Sequence, residues 1–490
     1  SEKTHLMQGY SVIVCRKRFP PYQQTVPGFL KTILGKDTDA ETQQKIILHS
    51  HQLPEQYPPE AEKEAAALLE PTEWEAERTD LRALPHITID GDDARDFDDA
   101  IFVTKKSDGF RLYVSIADVS YYVQPGTAID AEAYHRGTSI YFPQKVLPML
   151  PERLSNDLCS LRPHEDRLAV TACLDFNRAG KLQNSKFERS VIRSHFRFTY
   201  TLAQSLLDSS NASDRETPGT EHLQMLQHAS ELTKLLADKR KARGSLGFEI
   251  PEPRFTISPE GSVTEINTSN RSFSHQIVEE CMLAANEAVA AFFTQKGLSS
   301  AFRVHLPPDQ DLMQEFTRFL TSLDLNLPQY ENHPRWYSAV IEQVKGSPSE
   351  YLVHNLLLRH MQQAYYSPEN TGHFGLASPN YLHFTSPIRR YPDLIVHRHL
   401  LQLILKNKNK RSIAPAPLEQ ATQWLSSRER IAVKAERALA DRLKVLYLRP
   451  MIGKQFHGII SGLTEQKMFV DIPSLCISGS IELALFTDGC

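Results

Sequence analysis

Apolar and polar residues alternate along GYSVIVCRKR (9–18), the period of a half-buried strand. The same period returns near the other end, where 453–472 reads as two strands joined by a turn and 477–486 as a third. Between them, RLYVSIADVSYYV (111–123) and AVTACLDF (169–176) read as strands, and HQIVEECMLAANEAVAAFF (275–293) has the period of a helix. A closing helix is expected near 420–445. Three polar stretches interrupt the pattern: 53–76, Pro-rich and then acidic-helical, 208–220, and the basic, proline-punctuated 406–417. There are no internal repeats. The pattern predicts one large α+β body over 77–448, a linker over 26–76, and short β-pieces at 1–25 and 449–490. Each end holds too few strands for a five-stranded barrel, so the chain is expected to begin inside one small barrel and end inside another.

The densest chemistry lies in HITIDGDDARDFDDAIFV (86–103). Ile87 and Ile89 alternate with polar residues, six aspartates follow (Asp90, Asp92, Asp93, Asp96, Asp98 and Asp99), and an apolar run resumes at Ala100. Carboxylates held close together repel and raise each other's pKa, which a bound cation relieves. Oxygen donors without His or Cys favour Mg²⁺ or Mn²⁺. An acidic solvated loop is the competing reading, and an EF-hand loop is excluded because its glycine and spacing are missing. The strand-loop-strand setting favours a metal site.

HFTSPIRRYPDLIVHRHL (383–400) offers anion-binding groups. Pro392 starts or kinks a helix near Tyr391, which leaves Arg389 and Arg390 at or before its N-terminus, where an anion is favoured. Pairing of Arg389 with Asp393 is the structural alternative. In RGTSIYFPQKVLPMLPERLSNDLCSLRP (136–163), alternation puts Tyr141 and Phe142 on opposite faces. Phe142 is expected in the core; Tyr141 is a candidate for stacking on a base. His135, His305, His373 and His383 lack paired metal-ligand spacing and read as structural. Glu279 and Glu280 are expected on a solvated face of the 275–293 helix.

Composition narrows the class. Lys plus Arg number 55 against 59 Asp plus Glu, a net charge of −4, so a uniformly basic nucleic-acid coat is excluded but a clustered basic channel is not. No stretch approaches the ~18 apolar residues of a membrane span, and no secretory signal is visible. The six cysteines are scattered, which points to reduced thiols in a cytoplasmic protein.

Taken in order, TIDGDDARDFDDA, SIADVSYYV, RGTSIYFP with LPMLPERLSNDLCSL, and HFGLA followed by HFTSPIRRYPDLIVHR resemble the RNB-domain exoribonucleases, the ribonuclease II and ribonuclease R family, nearest its bacterial ribonuclease R branch. The resemblance covers about residues 40–450. It implies an RNB catalytic domain flanked by OB-fold domains: a cold-shock-like remnant at 1–25 and an incomplete RNA-binding one at 449–490. It implies processive 3′→5′ hydrolysis of single-stranded RNA with a free 3′ end to nucleoside 5′-monophosphates, in RNA decay and quality control. The family spacing D-x5-D-x-D-D selects Asp90, Asp96, Asp98 and Asp99 as ligands of two Mg²⁺ ions (Mn²⁺ the alternative), with Asp98 most critical. The same resemblance assigns catalysis to Arg389, base stacking to Tyr141 and an RNA contact to Glu436; Arg390, from its place at a helix start, is a further candidate RNA contact. The resemblance leaves the second base-clamping aromatic unplaced; AFRVHLPPD (301–309) offers Phe302. A monomer without a small-molecule cofactor is expected. The alternatives are a non-catalytic RNA-binding scaffold of the same fold and a phosphohydrolase of small nucleotides.

Overall fold

A single 18-residue strand closes the central sheet by changing partners midway. The computed structural model describes residues 9–16, 28–71, 77–208, 219–247, 252–269, 271–323, 325, 327–405 and 413–486. Most of the 1–25 piece, residues 209–218 and 406–412 of the loops expected at 208–220 and 406–417, and Cys490 lie outside the described residues. The other five cysteines are free thiols.

Five strands make the core: β1 (His86–Asp90), β2 (Asp99–Lys106), β3 (Gly109–Ala117), β4 (Asp166–Asn177) and β5 (Leu182–Thr199). Neighbours run antiparallel from β1 to β4. β5 pairs antiparallel with β4 from Leu182 to Arg193, passes an irregularity between Ser194 and Phe196, and then runs parallel to β1 as far as Thr199↔Asp90. The pairing therefore returns to its start as a ring in which each of the five strands has two neighbours, and Thr79–Asp80 adds a short parallel pairing to β5. At the β2–β3 turn, Gly109 has φ +153°, and a Cβ there would sit 1.9 Å from the Phe176 carbonyl oxygen. Only glycine lets β3 approach β4 so closely.

β-Branched and leucine side chains fill this ring: Ile87, Ile89, Ile101, Val103, Leu112, Val114 and Ile116 are all buried. Each such side chain taken out of water adds roughly 1.5–3 kcal/mol. The helix α1 (Phe273–Gln295) joins the same core through Ile277, Cys281, Ala285 and Val289, and its start is fixed by a capping box between Ser272 and His275. The helix α2 (Tyr391–Ile404) inserts Leu394, Ile395 and Val396. A 31-residue helix, α3 (Leu418–Leu448), runs along the body. The fold class is α+β, as the residue pattern predicts.

Three elements differ from expectation. SIADVSYYV is strand only to Ala117; Val119–Tyr122 is a helical turn. Asp118 ends the strand because its carboxylate is buried against Arg78, at 2.7 Å. The 26–76 segment is not a bare linker: Gly28–Lys36 pairs with Tyr10–Arg16, and helices span Ala40–Ser50 and Pro59–Ala67. Its Ala40, Ile47, Leu48 and Leu53 form a second core with Ile140, Phe142, Leu147, Ala435, Leu439 and Leu443. Residues read as a tether thus clamp the Tyr141 segment onto α3. Near the other end, Ile459–Leu463, Lys467–Ile472 and Ile477–Glu482 form a three-stranded antiparallel sheet.

Candidate active site

The register of the ring brings the acids to one rim. Asp90 ends β1, Asp99 begins β2, and the 91–98 loop joins them. That loop is pinned rather than solvated. Phe97 donates its N–H to Ser160 Oγ (3.1 Å), Ser160 donates to the Arg95 carbonyl (2.7 Å), and Arg197 Nη2 binds the carbonyls of Gly91 and Asp92 (2.8 and 2.9 Å). The rigid frame turns Asp98 inward, to 4% exposure, while Asp92 and Asp93 stay exposed.

Asp98 accepts the Ile388 N–H through Oδ1 (2.9 Å), and its Oδ2 lies 3.6 Å from Arg389 Nε. Burial raises its pKa well above the ordinary aspartate value against the opposing pull of Arg389. Burial, followed by the charge of Asp99, likewise raises Asp90. Asp99 is raised to about 6 by burial, opposed by Arg389 and Arg390. Asp90 Oδ2 and Asp98 Oδ2 are buried without a hydrogen-bond partner among the described residues. Buried, orphaned carboxylate oxygens are costly unless a cation completes them. An all-oxygen donor set on a pinned loop fits a hard divalent ion.

The cleft above this rim holds about 540 Å³ and is lined by all four family aspartates with Tyr141, Tyr200, Arg389 and Arg390. Pro387 and Ile388 precede α2, so Arg389 lies just outside the helix, braced by Nη2 donating to Ser386 Oγ (3.0 Å). Its side chain remains 42% exposed. Tyr141 is 42% exposed and Phe142 5%, as alternation predicts. The Tyr141 hydroxyl donates to Asp96 Oδ2 (3.3 Å), and its backbone N–H donates to Glu436 Oε1 (2.9 Å).

Several expected roles change. Arg390, not Arg389, pairs with Asp393, through Nε and Nη2 at 2.9 and 2.7 Å. Asp393 is fully buried and also receives the Ser386 N–H, so Arg390 lines the cleft while anchored by this ion pair. Glu436 is engaged with the Tyr141 backbone, which makes it a support for the stacking residue. Phe302 is 2% exposed in the core and cannot clamp a base. Glu280 is buried and bound by Arg240, while Glu279 reaches the cleft, so neither is a plain solvated acid. His305, His373 and His383 are engaged through a ring nitrogen with backbone or tyrosine groups, as structural histidines are. Tyr200, immediately after β5, is a cleft residue that the sequence did not single out; its ring stacks on His275 at 3.8 Å.

The family model "RNB domain" matches residues 78–406, two thirds of the chain. The chain belongs to the RNB family. Ribonuclease R of Escherichia coli (strain K12) is 39% identical over 490 residues, covering 97% of this chain and 60% of that relative. Ribonuclease R of Aquifex aeolicus is 39% identical, covering 99% of this chain and 69% of the relative. The solved Mycoplasma genitalium RNase R in complex with ribose methylated single-stranded RNA superposes with a TM-score of 0.93 at 30% identity, covering 99% of this chain and 76% of that one. This RNB chain thus spans about three fifths of the Escherichia coli relative's length. The orphaned aspartate oxygens fit a divalent ion, as an all-oxygen donor set does.

Proposed function

We propose that this chain is a 3′→5′ exoribonuclease that hydrolyses single-stranded RNA processively to nucleoside 5′-monophosphates, in cytoplasmic RNA decay and quality control, and that it acts as a monomer. One observation carries the reading: four carboxylates at the ring's rim, two with orphaned oxygens, face a half-exposed arginine and a half-exposed tyrosine in a single cleft. The RNA-bound relative supports RNA as the substrate class.

Asp90, Asp96, Asp98 and Asp99 would hold the metal, in our reading two Mg²⁺ with Mn²⁺ as the substitute. When bound, the ions supply Lewis-acid charge and acidify a water molecule. Arg389 places its guanidinium beside Asp98, where it offsets charge developing on the non-bridging phosphate oxygens. Water adds to phosphorus and the 3′-oxygen of the penultimate nucleotide departs, releasing the last nucleotide with its 5′-phosphate. Tyr141 is held at its backbone N–H by Glu436 and at its hydroxyl by Asp96, so its ring can stack on a base near the 3′ end and set the register.

The test uses RNA labelled at either end, with and without Mg²⁺. Mononucleotides released first from the 3′-labelled strand, only with metal, are expected. Long fragments appearing first, binding without cleavage, or inhibition by free nucleotides but not by oligonucleotides would each reject the proposal.

A further inference from the structure

Away from the acidic rim, β5 and the helix Thr220–Arg243 meet at three side chains with metal-ligand chemistry: His195, Glu221 and His222. One donor atom from each lies within 4.8 Å of the other two. Tetrahedral coordination at ~2.0–2.1 Å brings donors roughly 3.4 Å apart, so modest side-chain rotation closes the set.

Two further observations point to a ligand. His222 is 9% exposed, and neither of its ring nitrogens has a hydrogen-bond partner among the described residues. Its Nε2 stands 3.9 Å from Glu221 Oε1, beyond hydrogen-bond reach. A buried imidazole left with both nitrogens unmet is an expense that folds avoid. His195, by contrast, has its Nε2 2.9 Å from the Arg82 carbonyl oxygen. Donation to that carbonyl fixes the tautomer and leaves Nδ1 with its lone pair, the arrangement that orients histidine ligands in metal sites. Burial lowers the His222 pKa, opposed by Glu221 and aided by His195 and His164, which favours the neutral imidazole that a metal binds.

We propose that His195, Glu221 and His222 form a second metal site, for a borderline transition ion of the Zn²⁺ type, separate from the aspartate rim. Two imidazoles and one carboxylate select such an ion over Mg²⁺. Water completes the fourth position. The ion ties the start of the 220–243 helix to β5 two residues before Arg197, whose guanidinium holds the acidic loop. The role is structural; no bond of the RNA changes here.

The test is titration of the untagged, chelator-stripped chain with Co²⁺ and then Zn²⁺ in excess Mg²⁺, read by ligand-field absorption. A nitrogen-bound tetrahedral Co²⁺ absorbs far more strongly than an octahedral all-oxygen one, so the aspartate rim does not mimic the signal. One equivalent with the tetrahedral spectrum, displaced by Zn²⁺, is expected. His222→Ala should weaken binding roughly 100-fold or more, and Glu221→Gln roughly 10-fold. Glu221 is largely exposed, so its variant should fold even where His222→Ala does not. Absence of a tetrahedral spectrum, or a spectrum unchanged in both His195→Ala and Glu221→Gln, would overturn the proposal.

Discussion

The molecule gathers donor groups in two ways. At the ring's rim, four carboxylates surround a cleft, but among the described residues their oxygens do not form a trio as close as 4.8 Å; the His195, Glu221 and His222 donors do. The contrast follows from charge. Anionic carboxylates repel and are held apart on a pinned loop, whereas two imidazoles and one carboxylate approach without that like-charge repulsion. It also follows from the ions each set suits. Mg²⁺ keeps waters and shares its coordination with substrate phosphates, so its protein ligands need not close on themselves. A Zn²⁺-type ion takes a compact tetrahedron. The open set is suited to chemistry on a passing phosphate, and the closed one to fastening two elements together.

The comparison breaks most sharply at Asp98. Asp98→Asn keeps the shape and removes one charge beside Arg389 and the metal. Cleavage should fall by about 10³-fold or more. RNA affinity, measured by filter binding, should stay within a few fold. A variant that cuts at the normal rate would show that the open set does not do the chemistry.

The two adjacent arginines sharpen the same contrast between open and committed groups. Arg389→Ala should lower kcat by about 10²–10³-fold with little change in unfolding midpoint. Arg390→Ala should do the reverse. It leaves Asp393 buried and unpaired, at a cost on the order of 3–5 kcal/mol read by denaturant unfolding. Equal effects of the two variants on kcat and stability would erase the distinction. Tyr141→Ala comes next: loss of one stacking contact should weaken RNA binding by about 1–3 kcal/mol. Glu436→Gln, which keeps an acceptor for the Tyr141 N–H, should cost less.

How much of this was legible in the sequence depended on how local the cause was. The acidic loop could be read because Ile87 and Ile89 alternate before it and Ala100 to Val103 resume after it. Tyr141 and Phe142 separated correctly because a strand has period two. The roles of Arg389 and Arg390 could not be told apart, since the outcome turns on where α2 begins and thus on which guanidinium reaches Asp393. Closure of the ring was hidden because β5 changes partners at Ser194–Phe196, an event that no local period marks. Tyr200, Glu279 and the His195–His222 pair reach their places through that closure and through helix packing. Residues 26–76 read as a linker because their few apolar side chains make no face alone; Ala40, Ile47, Leu48 and Leu53 bury against α3 and the Tyr141 segment, and Ala61 and Ala65 against the main core.

The smallest predicted effect tests electrostatics at the rim with metal stripped away. Burial raises Asp99 from 3.8 to about 6, so between those values the folded state keeps a proton that the unfolded chain releases. This carboxyl's contribution to stability is therefore fully present below about pH 4 and lost as pH rises through about 6. Buried His86, lowered to about 4 by desolvation, works in the opposite sense: its contribution is present above its unfolded value of 6.5 and lost as pH falls through about 4. The two windows overlap, so the informative quantity is a difference. In chelator, the stability of Asp99→Asn relative to the native chain should rise between about pH 4 and 6, as followed by urea midpoints. Saturating Mg²⁺ should flatten or reverse that rise, because an ion held by the rim stabilises the native carboxylate that the variant lacks. A difference that stays flat in chelator across this range would mean that Asp99 carries no repulsive charge for a cation to relieve.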